Sequence, residues 1–161
     1  MEQLIPWLIF CLAVLAFCLL RPNAARIFIG IFFIIMAVAV NALLSVLAPE
    51  QFVRLGADAP LIPFYAWFFE HVVALAPQVV GILAAAGETA VGLLILASGR
   101  YVKLGLGAAI IFLIVITPLG VWTLPNPIFA AALAWLLRND YPLSLWQLLR
   151  ARRHPAGPGM A

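Results

Sequence analysis

Glu88 is the residue of this chain whose type and position most clearly suggest chemistry, because it is the one carboxylic acid within a long apolar run, residues 78–97. A helical run of about 20 residues is long enough to cross the hydrocarbon core of a bilayer. Ionisable groups at that depth are costly and usually have a partner or a purpose. Three interpretations of Glu88 stay open: a neutral carboxyl that fixes helix packing through a hydrogen bond, a ligand for a quinone or another polar-headed lipid, and a proton carrier in transport.

Asn41 and Thr117 are the other polar side chains that could complete a site with Glu88. Asn41 is the only strongly polar residue in the run 27–47. Counted from the same predicted side, Asn41 lies about seven residues deep and Glu88 about ten, within ~5 Å in depth at 1.5 Å per residue. The two could form a hydrogen bond, although Asn41 could equally bond a backbone carbonyl. Thr117 precedes Pro118, and we expect its hydroxyl to bond the carbonyl that this proline frees, or its span to line the Glu88 site.

The composition places the chain in a membrane. Its 161 residues are 66% hydrophobic and only 9% charged, whereas a soluble domain is typically ~45–50% apolar and ~25% charged. The apolar runs are continuous and lack the alternation of a membrane β-barrel. We therefore predict an all-α fold, a polytopic transmembrane helical bundle formed by a single domain, residues 1–153. The net charge of +3 comes from loop arginines and indicates no nucleic-acid partner.

The sequence contains no recognisable catalytic or metal-binding pattern. Ser-His-Asp order, a phosphate-binding loop, zinc-ligand spacing and a pair of haem ligands are all missing, and His71 and His154 fall on opposite predicted sides. Cys11 and Cys18 lie two helical turns apart, ~10 Å, too far for a disulfide, so we expect inert buried thiols. These observations favour a protein that is not an enzyme and has no metal site.

Five membrane spans are predicted, and the loop charges orient them. The spans are residues 3–20, 27–47, 78–97, 104–122 and 127–138. In this arrangement eight of the nine lysines and arginines fall on one side, and only Arg54 falls on the other. Because positively charged loops stay in the cytoplasm, we expect a bacterial inner-membrane protein with its N-terminus outside and its C-terminus in the cytoplasm.

Three segments outside the spans complete the prediction. Residues 64–75 carry their aromatic side chains on one helical face, which indicates a short helix lying in the membrane interface or capping the bundle. Residues 143–153 combine a tryptophan and leucines with arginines, which is typical of an amphipathic helix resting on anionic lipid. Residues 154–161 are rich in proline and glycine, and we expect a disordered tail.

A set of short motifs is distributed over residues 27–150. They are Gly30-Ile-Phe-Phe to Asn41, Pro49-Glu-Gln-Phe52, Gly81-x6-Glu88-x3-Gly92-Leu-Leu-Ile-Leu, Gly99-Arg100, Leu104-Gly105, Phe112, Pro118 and Pro125-Asn126. Together they resemble the DoxX-like family of integral membrane proteins. The glycine–glutamate–glycine span with Gly-Arg after it is the most specific piece. Many relatives carry a lysine or histidine after Asn41, and this chain has neither.

The resemblance implies a four-helix membrane core, with residues 3–20 as an additional first span. It also implies a link to quinone-coupled sulfur oxidation, as a subunit of a thiosulfate:quinone oxidoreductase, or to membrane complexes that handle oxidative stress. We expect a non-catalytic accessory protein or subunit of a quinone-linked redox system, in contact with the bilayer and with a quinone or a redox partner protein. The alternatives are a small proton-coupled transporter that uses Glu88 and an enzyme subunit that binds quinone directly.

Overall fold

Helices make up every regular element of residues 3–153, the part of the chain that the computed structural model describes. The α-helices are α1 (Leu4–Leu20), α2 (Pro22–Met36), α3 (Leu43–Leu47), α4 (Pro49–Ala57), α5 (Pro63–His71), α6 (Pro77–Leu96), α7 (Arg100–Ile116), α8 (Asn126–Leu136) and α9 (Leu145–Arg153). The shorter elements are a π-helical turn between α2 and α3 (Ala37–Ala42) and three 3₁₀ helices (Val73–Leu75, Thr117–Leu119 and Val121–Thr123). The predicted all-α class is confirmed for these residues.

Three helical stretches are long and apolar enough to cross a membrane. They are Pro22–Leu47, which runs from α2 through the π-helical turn to the end of α3, Pro77–Leu96 and Arg100–Leu119, of 26, 20 and 20 residues. Two further apolar stretches, Leu4–Leu20 and Val121–Leu136, are shorter. These helices are compatible with a membrane protein, and three of the five predicted spans reach full length.

Five of the helices pack in a closed cyclic order. α1 contacts α2, α2 contacts α6, α6 contacts α7, α7 contacts α8, and α8 returns to α1. Fully buried apolar side chains fill the space where these helices meet; among them are Cys11, Ile29, Leu106, Phe129 and Leu133. The free cysteines Cys11 and Cys18 are buried in this core.

Glycines allow α2 and α6 to approach each other closely. A Cβ atom added at Gly92 would lie 2.7 Å from the carbonyl oxygen of Gly30, and one added at Gly30 would lie 3.0 Å from the carbonyl oxygen of Gly92. Any larger side chain at either position would push the helices apart, as is usual for small residues at contacts between membrane helices. This close contact fixes the relative position of the two helices that carry Asn41 and Glu88.

Two helices begin earlier than the sequence predicts. The span predicted to begin at residue 27 begins at Pro22, because proline fits the first turn of a helix, where its missing N–H is not needed. The span predicted at 104–122 begins at Arg100 and becomes 3₁₀ around Pro118, which cannot donate a backbone hydrogen bond.

The segment between α3 and α6 also differs from the prediction. Residues 64–75 are not one helix: α5 ends at His71, Val72 takes a non-ideal conformation with φ of −113°, and Val73–Leu75 is 3₁₀. The helix α4, which begins at Pro49 just after the predicted span 27–47, was not anticipated.

The C-terminal elements are slightly shorter than predicted. α8 ends at Leu136 where the predicted span continues to 138, and α9 begins at Leu145 where the predicted helix begins at 143. The predicted disordered tail, 154–161, lies outside the described residues.

Candidate functional site

Glu88 and Asn41 lie in direct contact where α6 crosses the end of the long α2–α3 helix. The Nδ2 group of Asn41 donates a hydrogen bond of 2.6 Å to Oε2 of Glu88. The Glu88 side chain is buried, with 7% of the residue exposed, and Asn41 is partly buried. The structure thus brings together the two polar residues that the depth count paired.

The π-helical turn positions Asn41. The turn includes Asn41 and has more residues per turn than the α-helix on either side of it. The residues of α3 are therefore rotated about the helix axis relative to α2. Ser45, one turn later, is fully buried and its hydroxyl donates to the carbonyl of Ala42 at 3.1 Å. π-Helical turns occur frequently at functional sites, so the segment around Asn41 is a candidate for one.

Gly81 provides the space for this segment on the α6 side. A Cβ atom at Gly81 would collide with the Ser45 side chain and lie 2.7 Å from the carbonyl oxygen of Asn41. Gly81, Ala85, Glu88 and Gly92 are the buried polar and small residues along one face of α6. This face of small residues, which also carries Glu88, contacts α2 and α3.

A carboxyl and an amide in contact support a limited range of chemistry. Glu88 accepts a hydrogen bond from the Asn41 amide, which an ionised carboxylate can do. A protonated Glu88 can in addition donate its O–H to a ligand carbonyl or to the amide oxygen of Asn41. Among residues 3–150, whose side chains the structure describes, no buried side-chain nitrogen or oxygen is left without a partner. The pair is thus stable as packed and able to hold or exchange one proton.

Thr117 forms its hydrogen bond apart from the Glu88–Asn41 pair. Its hydroxyl donates to the carbonyl of Leu113 at 2.7 Å, within the last turn of α7. Pro118 leaves the carbonyl of Ile114 without its usual donor, and the backbone N–H of Thr117 bonds that carbonyl, so the hydroxyl does not take the role expected for it. No hydrogen bond among the described residues joins Thr117 to Glu88 or Asn41, so its part in a shared site stays a prediction.

Asn126 is a buried polar residue that sequence analysis included only in a motif. It is fully buried at the start of α8, accepts a 2.8 Å hydrogen bond from the indole Nε1 of Trp7, and donates a longer one to the carbonyl of Leu113. Asn126 thereby ties α1, α7 and α8 together at one end of the bundle.

Arg26 forms the second buried polar centre, at the opposite end of the α2–α6 contact. Its side chain is fully buried. Nη1 donates to the carbonyls of Ala97 at 2.8 Å and Ile95 at 3.1 Å, Nη2 donates to the carbonyl of Leu143, and Nε donates to Oδ1 of Asn23 at 2.8 Å. The arginine therefore caps the last carbonyls of α6, where a positive charge also suits the helix dipole.

Tyr141 closes the Arg26 centre from the side of the α8–α9 connection. The guanidinium carbon lies 4.8 Å from the centroid of the Tyr141 ring, and the Tyr141 hydroxyl donates to the carbonyl of Leu136 at 3.0 Å. Burial raises the pKa of Tyr141 above its usual range, so the phenol stays protonated and keeps donating. Sequence analysis counted Arg26 only as a loop charge, because its acceptors are backbone carbonyls that no residue type marks.

Two open cavities lie at the end of the bundle formed by α4. The larger, about 750 Å³, is lined by Arg54, Asp58 and Trp122 among others, and the smaller, about 450 Å³, lies beside it. Neither Glu88 nor Asn41 lines either cavity. A quinone at the Glu88–Asn41 pair would thus need a slot other than these two.

Comparisons of the chain with protein-family models, with curated proteins and with solved structures found no match, so the resemblance to the DoxX-like family stays a prediction.

Proposed function

We propose that this chain is a five-span integral membrane protein of the DoxX-like kind. The closed cyclic order of α1, α2, α6, α7 and α8 supports the five-span arrangement, because each apolar helix has two apolar neighbours in the same ring. The two shorter stretches cross a locally thinned bilayer, which membranes accommodate at modest cost. The N-terminus is outside and α9 is cytoplasmic, as the arginine distribution favours.

Its function is that of a non-catalytic accessory protein or subunit of a quinone-linked membrane redox system. The observation that carries this proposal is the Glu88–Asn41 hydrogen bond, 2.6 Å long, on the segment that Gly81 approaches closely. A carboxyl packed against an amide with neither described cavity beside it suits a fixed recognition element better than a solvated transport path. The partner is a quinone or a redox protein in the same membrane.

Native mass spectrometry of the full chain, extracted from its own membrane in mild detergent, tests this proposal. Glu88→Gln keeps the size and the acceptor oxygen of the side chain but removes its ionisation. Glu70→Gln is the matched control, because Glu70 is an exposed carboxylate on α5. A stoichiometric quinone or protein partner present in the wild type and Glu70→Gln, and reduced in Glu88→Gln, supports the accessory role. A bare protein in all three samples contradicts it.

The second candidate is a small proton-coupled transporter, and two observations favour it. Glu88 retains 7% exposure, and the π-helical turn beside Asn41 marks a place where the helix can change its hydrogen-bond register. This function requires water to reach Glu88 from at least one side. Proton flux in liposomes that is abolished by Glu88→Gln and retained by Glu70→Gln would favour transport over the accessory role.

A further inference from the structure

The helix α9 begins at a fixed residue without help from a partner. The backbone N–H of Ser144 donates to Oε1 of Gln147 at 2.8 Å, and the backbone N–H of Gln147 donates to the Ser144 hydroxyl at 3.4 Å. This reciprocal pair is a capping box, which satisfies two backbone donors at a helix start. The capping box therefore fixes the residue at which α9 begins.

The start of α9 is also tied to the bundle. Arg26 donates to the carbonyl of Leu143, two residues before α9, and the backbone N–H of Gly99 donates to the carbonyl of Tyr141 at 2.7 Å. Gly99 lies between α6 and α7, with φ of +59°. These bonds hold the base of α9 at the end of the bundle where α2 begins and α6 ends.

The apolar side chains of α9 divide into two stripes. Leu145 and Leu148 are partly buried, whereas Trp146 and Leu149 are exposed, at 73% and 43%. Residues three apart share one side of a helix, so Trp146 and Leu149 form a stripe that no described residue covers. Trp146 is among the most exposed large apolar side chains described, so this stripe is open to an apolar or interfacial partner.

The charges around this stripe identify the partner. Five exposed basic residues lie at this end of the bundle or on α9: Arg21, Arg100, Lys103, Arg138 and Arg150. The one acidic residue described there, Asp140, is already paired with Lys103 at 2.9 Å. The opposite end carries Glu50, Asp58 and Glu70 against Arg54 alone. An anionic surface with an apolar layer beneath it complements the basic end that carries α9, and it does not complement the acidic end.

We propose that Trp146, Leu149 and Arg150 form a lipid-binding face of α9 that docks on the anionic headgroups of the leaflet at this end of the bundle. Tryptophan suits the border between headgroups and acyl chains, and each arginine near an anionic leaflet adds to the attraction. The inference rests on the membrane location in the proposed function, and it does not depend on the role of Glu88.

Spin labels on single introduced cysteines test this docking in the full chain. Both native cysteines are fully buried, so labelling is confined to the introduced site. Leu149→Cys reports α9, Trp67→Cys reports an exposed aromatic position on α5 at the other end, and Leu83→Cys reports an exposed position on α6 that faces lipid if α6 spans the membrane. Collision rates with oxygen and with a nickel chelate are measured in nanodiscs of phosphatidylcholine alone and with added phosphatidylglycerol.

The label at Leu149→Cys is expected to move from a water-like to a lipid-like collision ratio when phosphatidylglycerol is added, and Trp67→Cys to stay unchanged. Adding Arg150→Gln should lower the docked-to-undocked ratio about fivefold, the loss expected for one arginine at an anionic surface. Arg54→Gln, at the other end, should leave it unchanged.

The opposite results separate this inference from the proposed function. A label at Leu149→Cys that is water-like in both lipids, or that is insensitive to Arg150→Gln, overturns the docking of α9, while a lipid-like Leu83→Cys leaves the membrane location intact. A water-like label at Leu83→Cys contradicts the membrane location itself, and the docking of α9 with it.

Discussion

Arg26 and Glu88 are buried ionisable residues on the same pair of helices, α2 and α6, and the protein holds them in different ways. The Arg26 guanidinium donates to three backbone carbonyls and one asparagine side chain, drawn from three separate segments of the chain. Glu88 has one hydrogen-bond partner, the Asn41 amide, on the adjacent helix. Arg26 therefore connects three segments of the chain, whereas Glu88 connects α6 only to the segment that carries Asn41.

The difference follows from the number of hydrogen bonds that each ionisable group requires when it is buried away from water. A guanidinium carries five donors and cannot lose its charge in a protein, so burial requires many acceptors. A carboxyl can become neutral, and one amide then suffices. The two centres thus predict different responses to substitution.

Arg26→Met should have the largest effect. It leaves the carbonyls of Ile95, Ala97 and Leu143 without their donor in a buried place, and we expect a loss of about 3–5 kcal/mol in the free energy of unfolding. Unfolding in detergent, followed by circular dichroism during a denaturant titration, measures it. Arg26→Lys keeps the charge but not the fork of donors and should recover part of the loss. A variant as stable as the wild type would show that the hydrogen bonds of Arg26 do not stabilise the fold.

Gly81→Ala should have the next largest effect, and it tests the packing that brings Asn41 to Glu88. The added Cβ collides with Ser45, and overpacking of this kind costs about 1–3 kcal/mol. Gly87→Ala is the matched control on the same helix, because nothing lies within 4 Å of a Cβ there; its effect should stay within about 1 kcal/mol. Equal unfolding curves for the two variants would contradict the close contact.

Glu88→Leu should cost less than either change, because it removes one side-chain hydrogen bond. Such bonds between membrane helices contribute about 0.6–1.7 kcal/mol. Glu88→Gln, which keeps an acceptor for Asn41, should cost less than Glu88→Leu in the same denaturant titration. If both variants lost as much stability as Arg26→Met, the contrast between the two centres would disappear.

Thr117→Val should have the smallest effect. The hydroxyl bonds a carbonyl within its own helix, so its removal should cost about 0.6 kcal/mol or less. Thermal unfolding in detergent measures this cost. A larger loss, or a loss of activity without loss of stability, would assign Thr117 to the Glu88 site after all.

The contact between Asn41 and Glu88 could be predicted because each is an isolated polar residue in an apolar run. Depth along two antiparallel spans can be counted from the sequence, and the count placed these side chains at one level. The π-helical turn that aims Asn41 could not be predicted, since none of the residues in Ala-Val-Ala-Val-Asn-Ala marks it. Its place depends on how the helix packs on α6.

Arg26 shows why other parts could not be predicted. Its acceptors are backbone carbonyls that lie 69, 71 and 117 residues away in the chain, and every residue carries such a carbonyl. A pattern of residue types therefore cannot distinguish this arginine from one that faces water. The helix α2 also begins at Pro22, before the predicted start at residue 27. Arg26 therefore lies within the helix and not in the connection before it.

The distances along the chain between Arg26 and its acceptors also bear on the order of assembly. During synthesis from the N-terminus, Arg26 is made when only its neighbour Asn23 can bond it. Two acceptors arrive with the end of α6, and the last arrives with Leu143. Until then the guanidinium of Arg26 lacks the carbonyl of Leu143 among its acceptors. The hydrogen bond to Leu143, just before α9, is therefore the last of these bonds to become available, after all five helices of the ring have been made.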